Sequence, residues 1–306
     1  MGDTESTERG PGGLAGRVRG ITDFAREHPR VRRGLIAGPP TTFLVLFFAL
    51  PILTMLVISF RAGDINGPFT LDNYTNFLTS DTYRTVLWRT LLVTVQVTAV
   101  VTVVGYALAY SIVRFSRRTT LLLLLVILPF WTSYIIRMYA WINILQSGGV
   151  LDSTLLLLNV IDQPIGVLYS QTAVLVGFTY VWLPLAVLPF YASLSNMDPD
   201  LIEAAKDLGA GPLKAFLTVT LPTTLDGVVT GVILVFIPTF GSFITPRLLG
   251  GTDNIMIGMV IENQFKSAFN YPFGAAIGIV ISAVVVVLLV LGARVGAGNL
   301  QGSDGQ

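Results

Sequence analysis

Residues 198–222 read DPDLIEAAKDLGAGPLKAFLTVTLP, a charged and patterned stretch between two long apolar segments. Asp198 is a good helix N-cap, and Pro199 suits the first helical position. Asp200 and Glu203 put negative charge near the helix N-terminus, where the dipole favours it. Leu201, Ala204, Ala205 and Leu208 recur at i, i+3, i+4 and i+7, which predicts one shared face, with Glu203, Lys206 and Asp207 around the rest. Gly209 fits the position just past the helix. A second short helix is expected from Gly211-Pro212, carrying Phe216 and Leu217. It should stop at Pro222, because the residue before a proline avoids the helical region. The stretch therefore predicts a helix-turn-helix whose small Ala204-Ala205 face admits another backbone closely. Two readings fit: an amphipathic loop lying on a membrane surface, or a docking element for another protein.

Working outward, the 306 residues are 53% hydrophobic and 12% charged, with mean hydropathy +0.72. An average soluble domain carries roughly twice that charge fraction, so the chain is an integral membrane protein. Six apolar runs are long enough to span a bilayer as helices: 39–60, 87–113, 120–145, 171–192, 227–249 and 273–295. They are continuous and lack the two-residue alternation of a membrane β-barrel.

The basic residues set an orientation. With the N-terminus inside, thirteen Lys and Arg fall on the cytoplasmic side and five (Arg61, Arg84, Arg89, Arg247, Lys266) on the other; Arg137 lies within the third run. Both termini and the 193–226 loop are then expected in the cytoplasm. Residues 1–37 are expected to be a disordered basic tail rather than a signal peptide, with Arg26, Arg30, Arg32 and Arg33 as a topology determinant or an anionic-lipid site. Residues 38–296 form the expected transmembrane domain, and 297–306 a second cytoplasmic tail. The loop 61–86 is expected to hold a short interfacial helix. Loops 146–170 and 250–272 carry Asp152, Asp162, Asp253 and Glu262, and should face the side that delivers substrate.

Chemistry in the chain itself has little to work with. There is no phosphate-binding Gly-x-x-x-x-Gly-Lys-[Ser/Thr] loop, no Cys, and one His, His28, in the basic tail. No metal-ligand cluster is apparent, and no catalytic residue is assigned. A self-contained secondary transporter would need carboxylates within the spans, which are almost devoid of them. Aromatic residues gather in the third run at Trp131, Tyr134, Tyr139 and Trp141, with Phe240 and Phe243 after the fifth. They read as an interfacial belt with Arg137 snorkelling to the headgroups, or as a substrate path whose ring faces stabilise a cation. Pro184, Pro189 and Pro238 are expected to interrupt the fourth and fifth spans, as packing kinks or as hinges.

Glu203-Ala204-Ala205, Gly209 four residues later and Leu221-Pro222 resemble the EAA signature of binding-protein-dependent ABC importer permeases; Thr220 stands where that signature often has an aliphatic residue. The stretches 129–141, 240–251, 256–258, 262–265 and 271–274 resemble the spermidine/putrescine permeases of that family, and the likeness covers residues 39–295. The resemblance implies an all-α membrane protein with the six-helix type I importer (MetI-like) fold, multi-pass in a bacterial or archaeal cell membrane. It implies that Glu203, Ala204, Ala205, Asp207, Gly209, Leu221 and Pro222 couple the chain to an ATPase groove. The implied partners are a second homologous permease, two ABC ATPase subunits, an extracytoplasmic substrate-binding protein and membrane lipid, with no nucleic acid. No cofactor is expected on this chain; ATP and Mg would sit on the ATPase subunits. The implied cargo is a polyamine, the alternatives being iron, sulfate or thiosulfate, or an opine.

Overall fold

The structure is a computed structural model that describes the backbone of residues 29–300 and the side chains of 37–290. Arg26, His28 and the last six residues lie outside the described residues. The chain divides into two units at Val57 and Ile58. In the first, helix α1 (Pro29–Leu44) passes through a π-turn (Val45–Ala49) into α2 (Leu50–Ser59). The backbone is thus helical from Pro29, inside the stretch expected to be disordered. Ala37–Ser59 has a mean hydropathy of 2.5, and its Phe43 and Phe47 rings stack 4.7 Å apart.

The second unit opens with the expected short helix, α3 (Asp72–Thr79), pinned by Asn73, whose Nδ2 donates to the carbonyls of Ser59 (2.9 Å) and Arg61 (2.8 Å). Helix α4 (Asp81–Phe115) follows, then α5 (Thr119–Ile127) with a 3-10 turn at Leu128–Trp131, α6 (Tyr134–Leu145) and α7 (Val150–Leu157). Helix α8 (Gln171–Asn196) leads to α9 (Asp200–Asp207) and α10 (Pro212–Ala215). A π-turn (Phe216–Thr220) and α11 (Leu221–Thr223) then meet α12 (Leu225–Phe240). Helices α13 (Ile244–Leu249), α14 (Ile257–Lys266) and α15 (Tyr271–Leu300) complete the chain. Among the described residues there is no β-strand, only an isolated Arg61–Phe69 bridge.

Four helices are long and apolar enough to cross a bilayer, and two further helix pairs pass the same test together. Counting each pair as one span gives six. The breaks fall elsewhere than expected: the run 120–145 was expected to be continuous, and the fifth span to be interrupted at Pro238. The third bends by 94° between Trp131 and Tyr134, and α12 meets the preceding Pro212–Thr223 segment at 68°. The fifth run then breaks again at Gly241–Phe243 before α13. The prolines behave unlike the expectation. Pro184 and Pro189 lie inside the continuous α8, and Pro238 inside α12. Packing against neighbouring helices holds these segments together where a proline removes one hydrogen bond.

Helices α4, α8 and α12 form the centre of the unit. Lipid is as apolar as leucine, so close van der Waals packing rather than water exclusion holds such helices together, and small residues set the distance. Phe190 of α8 is wholly buried, and its ring lies between Gly105 of α4 and Gly231 of α12. A Cβ added at Gly105 would stand 3.3 Å from the ring; one at Gly231 would overlap it. Gly227 meets Ser193 and the Pro189 carbonyl in the same way, and Gly177 meets Leu249 of α13. A second cluster of Phe77, Phe240, Ile257, Phe273 and Ile277 joins α3, α12, α14 and α15.

Candidate functional site

The stretch that opened the sequence folds as two short helices around a turn. The Asp198 carboxylate accepts from the Asp200 amide (3.0 Å), which makes it the N-cap in fact. At the other end Gly209 adopts φ +82°. Its amide donates to Lys206 O (2.8 Å), and the Ala210 amide donates to Ala205 O (3.0 Å), the two bonds of a Schellman turn. Gly209 is needed there for its backbone, since a side chain strains the left-handed region. Space is no obstacle: a Cβ would meet nothing within 4 Å.

The predicted single face divides in two. Ile202 and Ala205 are partly covered, while Leu201, Ala204 and Leu208 point away from the chain together with Glu203 and Asp207. Leu208 is 89% exposed and Leu213, the second residue of α10, 71%. Nothing else among the described residues covers these two side chains, which stand among the charged residues of the segment. Leu221 packs against the main core, and Pro222 is exposed. Pro222 does not end the segment. The turn lies at Thr224, wholly buried, whose Oγ1 donates to Thr220 O (2.8 Å) and lies 2.7 Å from Tyr106 Oη of α4.

At the other end of the bundle the six aromatic candidates do not line one path. Trp131 is 84% exposed and Tyr139 is also exposed. Tyr134 bonds through its hydroxyl to Thr245 of α13, and Trp141 packs edge-on to Tyr180 at 5.5 Å. Phe240 is buried in the second cluster, its ring stacked 5.8 Å from Phe236. Phe243 is partly buried under the Lys266 ammonium, 5.7 Å from its ring centre. Arg137 does not snorkel. It is 8% exposed, with its guanidinium 5.5 Å and 5.7 Å from the Phe130 and Tyr134 ring centres. Its Nε and Nη1 have no hydrogen-bond partner among the described residues. The 94° bend turns α6 back, so Arg137 faces packed rings instead of headgroups.

Of the four acids expected to face the delivery side, Asp162 and Asp253 are exposed, and the other two are committed to the protein itself. Glu262 pairs with Arg247 and, at 3.1 Å, with Lys266. Asp152 is 1% exposed, and its carboxylate accepts from the amides of Gly148 (3.0 Å), Ile165 (3.2 Å) and Gly166 (3.4 Å). It closes the 146–170 loop on itself instead of facing a delivered cation. Asp152→Ala leaves three amides without that acceptor, at about 1–3 kcal/mol for each one that stays buried. The expected result is faster proteolysis and amide exchange across residues 147–166, read by mass spectrometry, with unchanged protection in α8.

Sequence reasoning missed Asp152 as a loop clamp and Tyr106 and Thr224 as partners. One signal was present. Thr90, Thr94, Thr98, Thr102 and Tyr106 recur every four residues along an otherwise apolar span. In the structure this stripe faces inward, and Thr90 Oγ1 accepts from the Ile257 amide (2.8 Å).

A helical bundle of this topology, interrupted by a charged helix pair, now meets its relatives. Residues 101–296 match the family of binding-protein-dependent transport system inner membrane components. The chain belongs to that family. It is therefore a multi-pass inner-membrane protein and a permease component of a transporter, not itself an enzyme. It is 39% identical over 254 residues to the spermidine/putrescine transport system permease protein PotB of Escherichia coli, covering 81% of this chain and 92% of that one. The structure resembles a chain of a bacterial alginate ABC transporter solved with an alginate pentasaccharide-bound periplasmic protein. That match has TM-score 0.73 at 16% identity and covers 88% of this chain and 94% of the other. It also resembles a chain of the inward-facing MetNI methionine ABC transporter, with TM-score 0.53 at 17% identity, covering 72% and 99% respectively. The expected importer-permease fold is thereby borne out.

Proposed function

We propose that this permease component carries polyamines, spermidine or putrescine, inward through an ATP-driven importer, and that residues 198–222 are where the ATPase engages it. The observation that carries the substrate reading is the 39% identity to PotB across nearly the whole of that chain. The exposed Leu201, Ala204, Leu208 and Leu213 support the coupling reading, because this apolar patch sits on a loop that charge bias assigns to the cytoplasm. Glu203 and Asp207 orient the docked surfaces by polar contacts, and Ala204 and Ala205 allow close approach. Leu221 and Pro222 connect the loop to the bundle.

The complex comprises this chain, a second homologous permease, two ATPase subunits that hold ATP and Mg, and an external binding protein. ATP binding closes the ATPases and moves α9; the bundle rocks from inward- to outward-facing, and hydrolysis resets it. The exposed Trp131 and Tyr139 contribute to the cation path where a second chain completes it, and Tyr134, Trp141, Phe243 and the buried Phe240 support the wall behind. Uptake of radiolabelled spermidine and putrescine tests the reading, in cells carrying the complete complex with and without this chain. ATP-dependent uptake is expected to disappear on deletion and return on complementation. Uptake unchanged by deletion would remove polyamines as the cargo.

A further inference from the structure

Beyond the docking surface lies the question of how motion at residues 198–222 reaches the spans. Phe216 opens the π-turn between α10 and α11, a distortion that frequently marks functional positions. Its ring meets two tyrosines of α4 edge to face: Tyr110 at 5.5 Å and 88°, and Tyr106 at 6.0 Å and 73°. Residues 106 and 110 are one helical turn apart, so they form the two jaws of a clasp. Tyr106 is 8% exposed and also meets Phe190 of α8, with centroids 5.8 Å apart. Its hydroxyl is bonded to Thr224 at the 68° elbow. Tyr106 therefore holds the segment at two points eight residues apart and passes both contacts to α8. A cleft of about 470 Å³, lined by Thr102, Val103 and Ala107 of α4, flanks the rings. Leu221 of α11 and Val228 of α12 line the same cleft.

We propose that Phe216, clasped by Tyr106 and Tyr110, is the positioning residue through which displacement of the coupling segment drives α4 and, through Phe190, α8. The proposal rests on the coupling role given above to residues 198–222. Three features argue for it together. Edge-to-face aromatic contacts are directional, so a shift of Phe216 displaces both tyrosines. The Tyr106–Thr224 bond keeps the elbow from yielding independently. Phe190 is packed against Gly105 and Gly231, so a shift of Tyr106 toward α8 meets no free space there.

The test uses the complete transporter reconstituted with its ATPase and binding protein, measuring spermidine moved per ATP hydrolysed. Phe216→Ala is expected to lower that ratio about tenfold while ATPase activity stays within about twofold of the unaltered complex. Phe216→Tyr keeps an aromatic ring and is expected to restore the ratio. Tyr106→Leu should behave as Phe216→Ala does, and the double variant should be no worse than either alone, because the two act as one unit. Tyr106→Phe, which keeps the ring and loses the Thr224 bond, guards against variants that fail to assemble, and is expected to give a smaller loss. Transport and ATPase activity falling in proportion in Phe216→Ala, or multiplied losses in the double variant, would overturn the clasp. An unaltered complex whose uptake is independent of ATP would instead overturn the coupling reading itself.

Discussion

Gly231→Leu is expected to eliminate correctly assembled protein from the membrane, and Gly231→Ala to lower its thermal midpoint sharply. The cause is one contact. Phe190 is fully buried and its ring fills the space where a Gly231 side chain would stand; an added Cβ overlaps Cε1 and lies 2.7 Å from Cζ. Either the ring leaves its position against Gly105 and Tyr106, or α8 and α12 move apart. Overpacking of this sort costs about 1–3 kcal/mol for a small addition, and more for a branched side chain. Size-exclusion profiles of heated, detergent-solubilised protein measure it. Gly231→Ala combined with Phe190→Leu is expected to recover part of the loss, since the smaller side chain vacates the overlap. A Gly231→Ala protein that melts with the unaltered one would show that the helices separate without cost.

Gly209→Val is expected to uncouple ATP hydrolysis from transport while leaving the protein in the membrane. At φ +82° a β-branched residue is strained by about 1–2 kcal/mol, enough to shift the Schellman turn that ends α9 but far less than the bundle can tolerate. The empty space around the site separates two causes. Within this chain a Cβ clashes with nothing, so strain is the internal effect; at a docked ATPase any side chain also intrudes on the interface. Gly209→Asn tolerates the left-handed backbone yet carries bulk. Transport retained in Gly209→Asn and lost in Gly209→Val assigns the effect to the turn. Loss in both, with ATPase activity retained, assigns it to the docked surface. Normal transport in Gly209→Val would remove Gly209 from the coupling element.

Much of the fold was legible in the chain. The composition and six apolar runs announced a helical membrane protein, because a bilayer demands uninterrupted apolar length whatever the neighbours are. The cap at Asp198 and the turn at Gly209 were legible because both are local: each joins groups within five residues. The interruptions were misplaced for the complementary reason. A proline weakens one hydrogen bond, but packing decides whether the helix yields, so α8 runs through two prolines while the third span bends at Thr132-Ser133, just after the 3-10 turn that holds Pro129. Of the candidate site, the two short helices and the turn at Gly209 were legible as a segment, whereas the division of the face between Ala205 and Leu208 depended on what covers α9.

By itself, then, the sequence determined the membrane setting, the apolar runs long enough to cross it, and the helix-turn-helix that interrupts them, all set by short-range propensity and by the solvent. The tertiary structure alone decided what single residues do. Tyr106 meets Thr224 across 118 positions and Tyr134 meets Thr245 across 111; Asp152 finds three amides, and Phe190 finds two glycines. Such pairings depend on how helices distant in the chain pack together, and neither periodicity nor composition encodes that packing.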